Sequence, residues 1–282
     1  MSKNVTKNHH LVSQVLLRQW FDRRSNEHVV SRYDISKKGI EHIGTKGISW
    51  KYERVHPSDP VGFEDKWQKV ETDTGIILKG FSTGNDLLTN NSETVIKNLM
   101  AIHLVRSIAY VENLRKRFFD SIESCDPSYV PWLMKMTDYQ KLLKLELAEG
   151  PFYTKNMLIL YPIVKNYLAP KRCKLYLIPS TLEKSTFLIG DCPVLPLTVV
   201  NGLPAITEGQ IFGPSVATYA FPISPKLYVQ ISNTPETQNA TLEEVELLNK
   251  LQIHSASHEI MWSPPDDTQH LETVRNTLGK YP

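Results

Sequence analysis

Read for the spacing of its apolar residues, the chain divides into a helix and hairpin, a helical middle, and a β-rich end with a closing helix. Leu11 and Val15 share one side of a helical wheel over residues 9–23, with Val12, Leu16 and Trp20 on the next, so a first helix is expected there. His28 to Ser36 alternates, Lys38-Gly39 supplies a turn, and Ile40 to Gly44 continues as a second strand. Together these predict a β-hairpin. A Pro-bounded loop runs to residue 60. From Val61 onward, Phe63, Trp67, Val70 and Ile77 recur near helical spacing until Gly80 and Gly84 interrupt them.

The longest legible element is a helix over 92–120, capped by Ser92 or Thr94 and apolar on one side through Leu99, Ile102, Leu104, Val105 and Ile108. Helices are expected again over Tyr129–Glu149, closed by Gly150-Pro151, and over Lys155–Ala169 before Pro170. Three short β-rich runs (174–178, 186–190 and 227–231), separated by Pro and Gly, predict an antiparallel sheet. Thr241 and Glu244 have capping-box spacing and open a helix that ends in a strand; the polar tail from Pro264 is expected to be peripheral. Strands and helices segregated in this way indicate an α+β fold, not βαβ units. The expected organisation is one α+β domain over 1–282: helix and hairpin in 1–60, a helical region in 61–172, an antiparallel sheet with its closing helix in 173–282.

Composition narrows the class. With 282 residues, 41% of them hydrophobic and 22% charged, the chain has the make-up of an ordinary globular protein with a sizeable core. The opening MSKNVTKNHH has no apolar core behind its lysines, so no leader peptide is expected. The most apolar run, from Met157, is interrupted by Pro162 and Lys165 and is too short to span a bilayer. Cys125, Cys173 and Cys192 are far apart and form no CxxC pair, which suits a reducing cytoplasm and no membrane partner. Charge is unevenly spread. Residues 97–176 hold 13 Lys/Arg against 7 Asp/Glu, and residues 177–282 hold 5 against 11. Either the two regions dock on each other, the blander reading, or the basic one meets an anionic partner.

The candidate chemistry begins with His103 and Arg106, three apart on one helical face. An arginine inside an apolar run is costly unless paired or presented to a ligand. The pair offers a proton donor or acceptor beside an anion clamp, as phosphoryl chemistry requires; equally, Arg106 can meet a buried glutamate while His103 fills a polar gap. Glu64 and Glu71 share a helical face about 10 Å apart, too far to chelate one ion unaided, and Glu71 is the one placed to meet Arg106. Asp191 sits at the end of an apolar strand before Cys192-Pro193, a position that suits either a functional carboxylate or a turn-capping one. His254 and His258 have the helical spacing of two imidazoles on one metal. Neither HExxH nor HxxEH is present, so no residue is assigned as a metal ligand. Two basic runs, with Arg115, Lys116 and Arg117 in one and Lys171 and Arg172 in the other, can contact phosphates or be solvated turns. No phosphate loop, GxSxG elbow or Rossmann fingerprint occurs.

Several motifs in order resemble one family. They are His10 followed by Leu17-Arg18-x-Trp20, then Glu64 and Glu71, and His103-x-x-Arg106. Phe187-Leu188-Ile189-Gly190-Asp191-x-Pro193-Val194 and Phe221-Pro222-Ile223-Ser224-Pro225 come next, and Leu248-Asn249 last. Together they resemble the largely bacterial domain of unknown function 4238. The resemblance spans nearly the whole chain through short motifs, and four positions depart from its pattern. Ser13 stands where the family prefers Pro, Trp20 replaces Phe, His103 replaces Gln, and Gly190 replaces Ser or a similar residue. The family carries no activity to transfer. It implies one fold with recurring polar residues His10, Glu71, Arg106 and Asp191, and a loose association with accessory or defence-related genes.

The leading expectation is therefore a phosphodiester-directed hydrolase, a nuclease or nucleotide hydrolase, acting as a toxin or antiviral effector. Arg106 would clamp a phosphate and His10 or His103 would act as acid or base. Asp191 with Glu71 would orient a histidine or hold a divalent metal as cofactor. The alternative is a non-enzymatic accessory module that binds nucleic acid or protein, and a third reading makes the polar set a structural network.

Overall fold

A computed structural model describes residues 12–21, 28–44, 62–82, 89–107, 152–182, 185–207, 215–232 and 240–279. These form α1 (Gln14–Leu17), β1 (Val29–Asp34), β2 (Gly39–Gly44), α2 (Gly62–Ser82), α3 (Asn90–Arg106) and α4 (Phe152–Leu168). There follow β3 (Arg172–Leu177), β4 (Ile189–Gly190), β5 (Leu195–Val200), β6 (Leu203–Ile206), β7 (Thr218–Ser224), β8 (Leu227–Ser232), α5 (Leu242–Ser255), β9 (Glu259–Trp262) and α6 (Asp267–Leu278). The fold is α+β. Its strands make two antiparallel sheets, ordered β2-β1-β9-β4 and β3-β8-β7-β5-β6.

The N-terminal hairpin forms as its pattern predicts, with Lys38 at φ 52 in the turn. It does not stand alone. β9, from the far end of the chain, pairs with β1 on one side and β4 on the other, so chain ends distant in sequence share one sheet. The expected run 186–190 yields only the two residues of β4, and these join the hairpin's sheet instead of β3 and β8. The second sheet also contains β5, β6 and β7, which lie outside the three expected runs. Prolines 196, 204 and 222 interrupt their apolar alternation, and β7 bulges against β8 between Pro222 and Ser224.

Three helices differ from expectation. The first is a single turn, Gln14–Leu17, extended by a 3-10 turn to Trp20. α3 is capped by Thr89, whose hydroxyl accepts from the Ser92 amide while Ser92 Oγ accepts from the Thr89 amide. It ends at Arg106, because Ser107 takes extended geometry (φ −63, ψ 117). The expected continuation to 120 fails at that residue; 108–150, including the Tyr129–Glu149 helix, lies outside the described residues. Nor is α3 one-sided. Val95 to Arg106 are buried except Asn98, so α3 is a central core helix. The tail beyond Pro264 is not peripheral: it forms α6, which buries His270, Val274 and Thr277.

The main core draws on every part of the described chain, from Val12, Leu16 and Trp20 through α3 and both sheets to Trp262 and Val274. Cys173 and Cys192 are both buried, and burial pushes the Cys173 thiol up to about 12. No helix among the described residues is long and apolar enough to cross a membrane.

Candidate functional site

Trp67 and Glu71 stand one turn apart on α2, a spacing that places both on one face. That face meets the C-terminal end of α3. Arg106 Nη1 donates to Glu71 Oε1 over 3.1 Å, and the guanidinium carbon lies 3.9 Å from the Trp67 ring centroid. Ser13, at the N-cap of α1, donates its hydroxyl to the same carboxylate oxygen over 2.7 Å. Ion pair and stacking together fix the guanidinium plane. Arg106 is 6% exposed, whereas the Glu71 side chain is 28% exposed; the carboxylate is the outer partner.

His103 is one turn back on α3, 1% exposed and with its ring centroid 5.7 Å from that of Phe221. Asp191, 2% exposed, belongs to a different set of contacts. Its two oxygens accept from the Ser257 amide at 2.8 Å and the His258 amide at 2.9 Å. Among the described residues no hydrogen bond joins Asp191 to Arg106 or Glu71, and the link between their neighbourhoods runs through Ser107 and Cys192. His10, Arg115, Lys116 and Arg117 lie outside the described residues, as does the Glu64 side chain. Lys171 packs its ammonium over Tyr167 at 4.7 Å, and Arg172 is exposed at the start of β3.

What surrounds Asp191 explains the long motif it belongs to. The segment 186–193 forms little ladder of its own, so side chains from three directions satisfy its backbone. From α5, Asn249 accepts from the Leu188 amide and donates to the Thr186 carbonyl, while Gln252 accepts from the Gly190 amide and donates to the Pro193 carbonyl. Trp20 Nε1 donates to the Phe187 carbonyl over 2.8 Å. The Thr186 hydroxyl bonds Asp266 and His270 Nε2. Ser107, next to Arg106, donates to Cys192 Sγ. A Cβ on Gly190 would lie 3.1 Å from Ala256 Cβ and 3.2 Å from the Gln252 carbonyl oxygen, so the close approach of α5 favours glycine there, and a larger residue needs α5 to give slightly.

Ionisation is perturbed along this part of the fold. Burial raises the Asp191 carboxyl against the lowering effect of the two amides. Glu259 is pushed up to about 7 by burial, with the Asp191 charge adding to it and Arg32 opposing. Burial takes His270 down to about 4. Of these, Asp191 is a candidate from sequence, whereas Glu259 and His270 are assigned no role there.

The His254/His258 pair does not share a helical face, because α5 ends at Ser255 and His258 lies in the following turn. Among the described residues no group of three or more His, Cys, Asp or Glu is placed to hold a metal ion. A cleft of about 560 Å³ runs between α5 and α6. His254 and His270 line it, but Glu71, His103, Arg106 and Asp191 do not.

A family model described as protein of unknown function (DUF4238) matches residues 8–266. No curated protein matches the chain, and no solved structure does.

Proposed function

The chain belongs to the DUF4238 family, and for it we propose an accessory binding role in which Arg106 receives a phosphate-bearing partner, nucleic acid foremost. The observation that carries this reading is the Arg106–Glu71 pair. A largely buried ion pair contributes little to stability compared with apolar packing of the same volume, so its presence at the end of the buried helix α3 calls for another use. Stacking on Trp67 pre-orients the guanidinium, and the more exposed Glu71 occupies the position that an incoming phosphate would take. Arg172 and Lys171, with Arg115, Lys116 and Arg117, supply the longer-range attraction in this reading.

The second reading is the phosphodiester-directed hydrolase, a toxin or antiviral effector, with His10, Glu71, His103, Arg106 and Asp191 as its catalytic set. One observation favours it: a carboxyl poised near 7, Glu259, lies beside Asp191, and that value suits an acid or base at neutral pH. Against it stand the burial of His103 and the engagement of both Asp191 oxygens by backbone amides.

One experiment separates the two. The full chain is incubated with labelled single- and double-stranded DNA and RNA, with and without added magnesium, and both retention and strand length are followed. The binding reading expects retention of intact strands that weakens in Arg106→Ala. Strand scission lost in Arg106→Ala supports the hydrolase, and neither retention nor scission removes both.

A further inference from the structure

Three carboxylates stand side by side across the first sheet. Asp34 of β1 is in register with Glu259 of β9. The Asp191 amide donates to the Glu259 carbonyl, continuing the β4–β9 ladder by one residue. Among the described residues one guanidinium answers them, and it is shared: Arg32 Nη2 is 2.7 Å from Glu41, while its Nη1 is 3.3 Å from Glu259. Lys37 is spent on Asp34 and Glu41, at 3.4 and 3.5 Å. The His258 ring also lies near Asp191, and positive charge on it favours the ionised carboxylate. Asp34 is held down to about 2, chiefly by the Ser36 hydroxyl, and so stays charged at any physiological pH.

We propose that Asp191 and Glu259 form a proton-operated latch on the turn between α5 and β9. Two buried carboxylates at adjacent positions on paired strands, each opposing the other's charge, ionise together only at considerable cost. Asp191 accepts two amide hydrogen bonds, which favour its charged form, so the shared proton resides on Glu259. In that state Asp191 holds the Ser257 and His258 amides, and the turn is further tied by Ile35, whose amide donates to the His258 carbonyl. When Glu259 ionises, it faces Asp34 and Asp191 with only a shared arginine. Repulsion then falls on Asp191, and the turn it holds loosens. The latch is closed in mildly acidic conditions and eased in mildly alkaline ones. It joins the N-terminal hairpin to α5, so its opening changes how the two ends of the chain are coupled.

Hydrogen exchange at the Ser257 and His258 amides tests this, measured on the full chain from about pH 5.5 to about pH 8.5 and corrected for the intrinsic pH dependence of exchange. Protection in the wild type is expected to fall about tenfold or more through neutrality. Glu259→Gln, which cannot ionise, is expected to remain protected throughout. Asp34→Asn removes one neighbouring anion and should move the midpoint to lower pH, because Glu259 then ionises against less repulsion. Protection that is flat in the wild type, a fall retained in Glu259→Gln, or an unmoved midpoint in Asp34→Asn overturns the latch.

Discussion

Ser13 donates to Glu71 over 2.7 Å, through the carboxylate oxygen that Arg106 also reaches. The contact ties the start of α1 to the middle of α2. The family pattern prefers proline at this position, which has no hydroxyl to offer. Ser13→Ala should therefore cost about 1 kcal/mol. In urea unfolding the midpoint should drop with an unchanged slope.

Trp20 departs from the family's phenylalanine and uses the difference, since its indole N–H satisfies the Phe187 carbonyl in the core. Trp20→Phe removes that donor and leaves unfilled volume. The expected loss is about 2–4 kcal/mol, read from the same unfolding curves. A loss below about 0.5 kcal/mol would mean that the core relaxes around the smaller ring.

Asp267, in the first turn of α6, accepts from Ser31 Oγ and Trp262 Nε1 through one oxygen and meets His42 Nε2 through the other. It fastens α6 to the first sheet and sits favourably near the helix N-terminus. Asp267→Ala strands two buried donors and should destabilise by about 2–4 kcal/mol. Amide exchange in α6 should accelerate more than exchange in α3.

The two perturbed groups predict opposite pH dependences. Glu259 has a raised pKa when folded, so its contribution is fully present below its unfolded value of 4.5 and is lost as pH rises towards about 7. His270 has a lowered one, so its contribution is fully present above 6.5 and is lost as pH falls towards about 4. Between about 4.5 and 6.5 they offset each other. Glu259→Gln should unmask the histidine, giving stability that climbs by on the order of 3 kcal/mol across that window, measurable as unfolding free energy against pH.

The hairpin, α2, α4 and the capping box of α5 were legible because local patterns decide them: alternation, helical spacing, and the Thr241–Glu244 exchange of hydrogen bonds. What the pattern hid was non-local. Nothing in Glu259 or Trp262 indicates that their strand pairs with β1, more than two hundred residues away. The β5–β6 hairpin carries an Asn201-Gly202 turn, both residues at positive φ, but prolines 196 and 204 break the alternation on either side of it. Helix 92–120 was overextended because Ser107 is compatible with a helix locally; its extended backbone brings its hydroxyl to Cys192. At the candidate site, Arg106 and Glu71 were readable as partners from the cost of a buried arginine. The division that leaves Asp191 with a turn was not, because the same strand-end carboxylate fits either role.

The Arg106–Glu71 pair is tested most directly by two variants that act on its opposite members, Arg106→Gln and Glu71→Gln. Binding of a labelled single-stranded oligonucleotide is followed by anisotropy across a salt series. If a phosphate takes the place of Glu71 on Arg106, Arg106→Gln weakens binding about tenfold or more and lowers the salt slope by about one, while Glu71→Gln strengthens binding by removing the competitor. Affinities unchanged in both variants, or moved in the same direction in both, contradict the account and leave the pair as packing between α2 and α3.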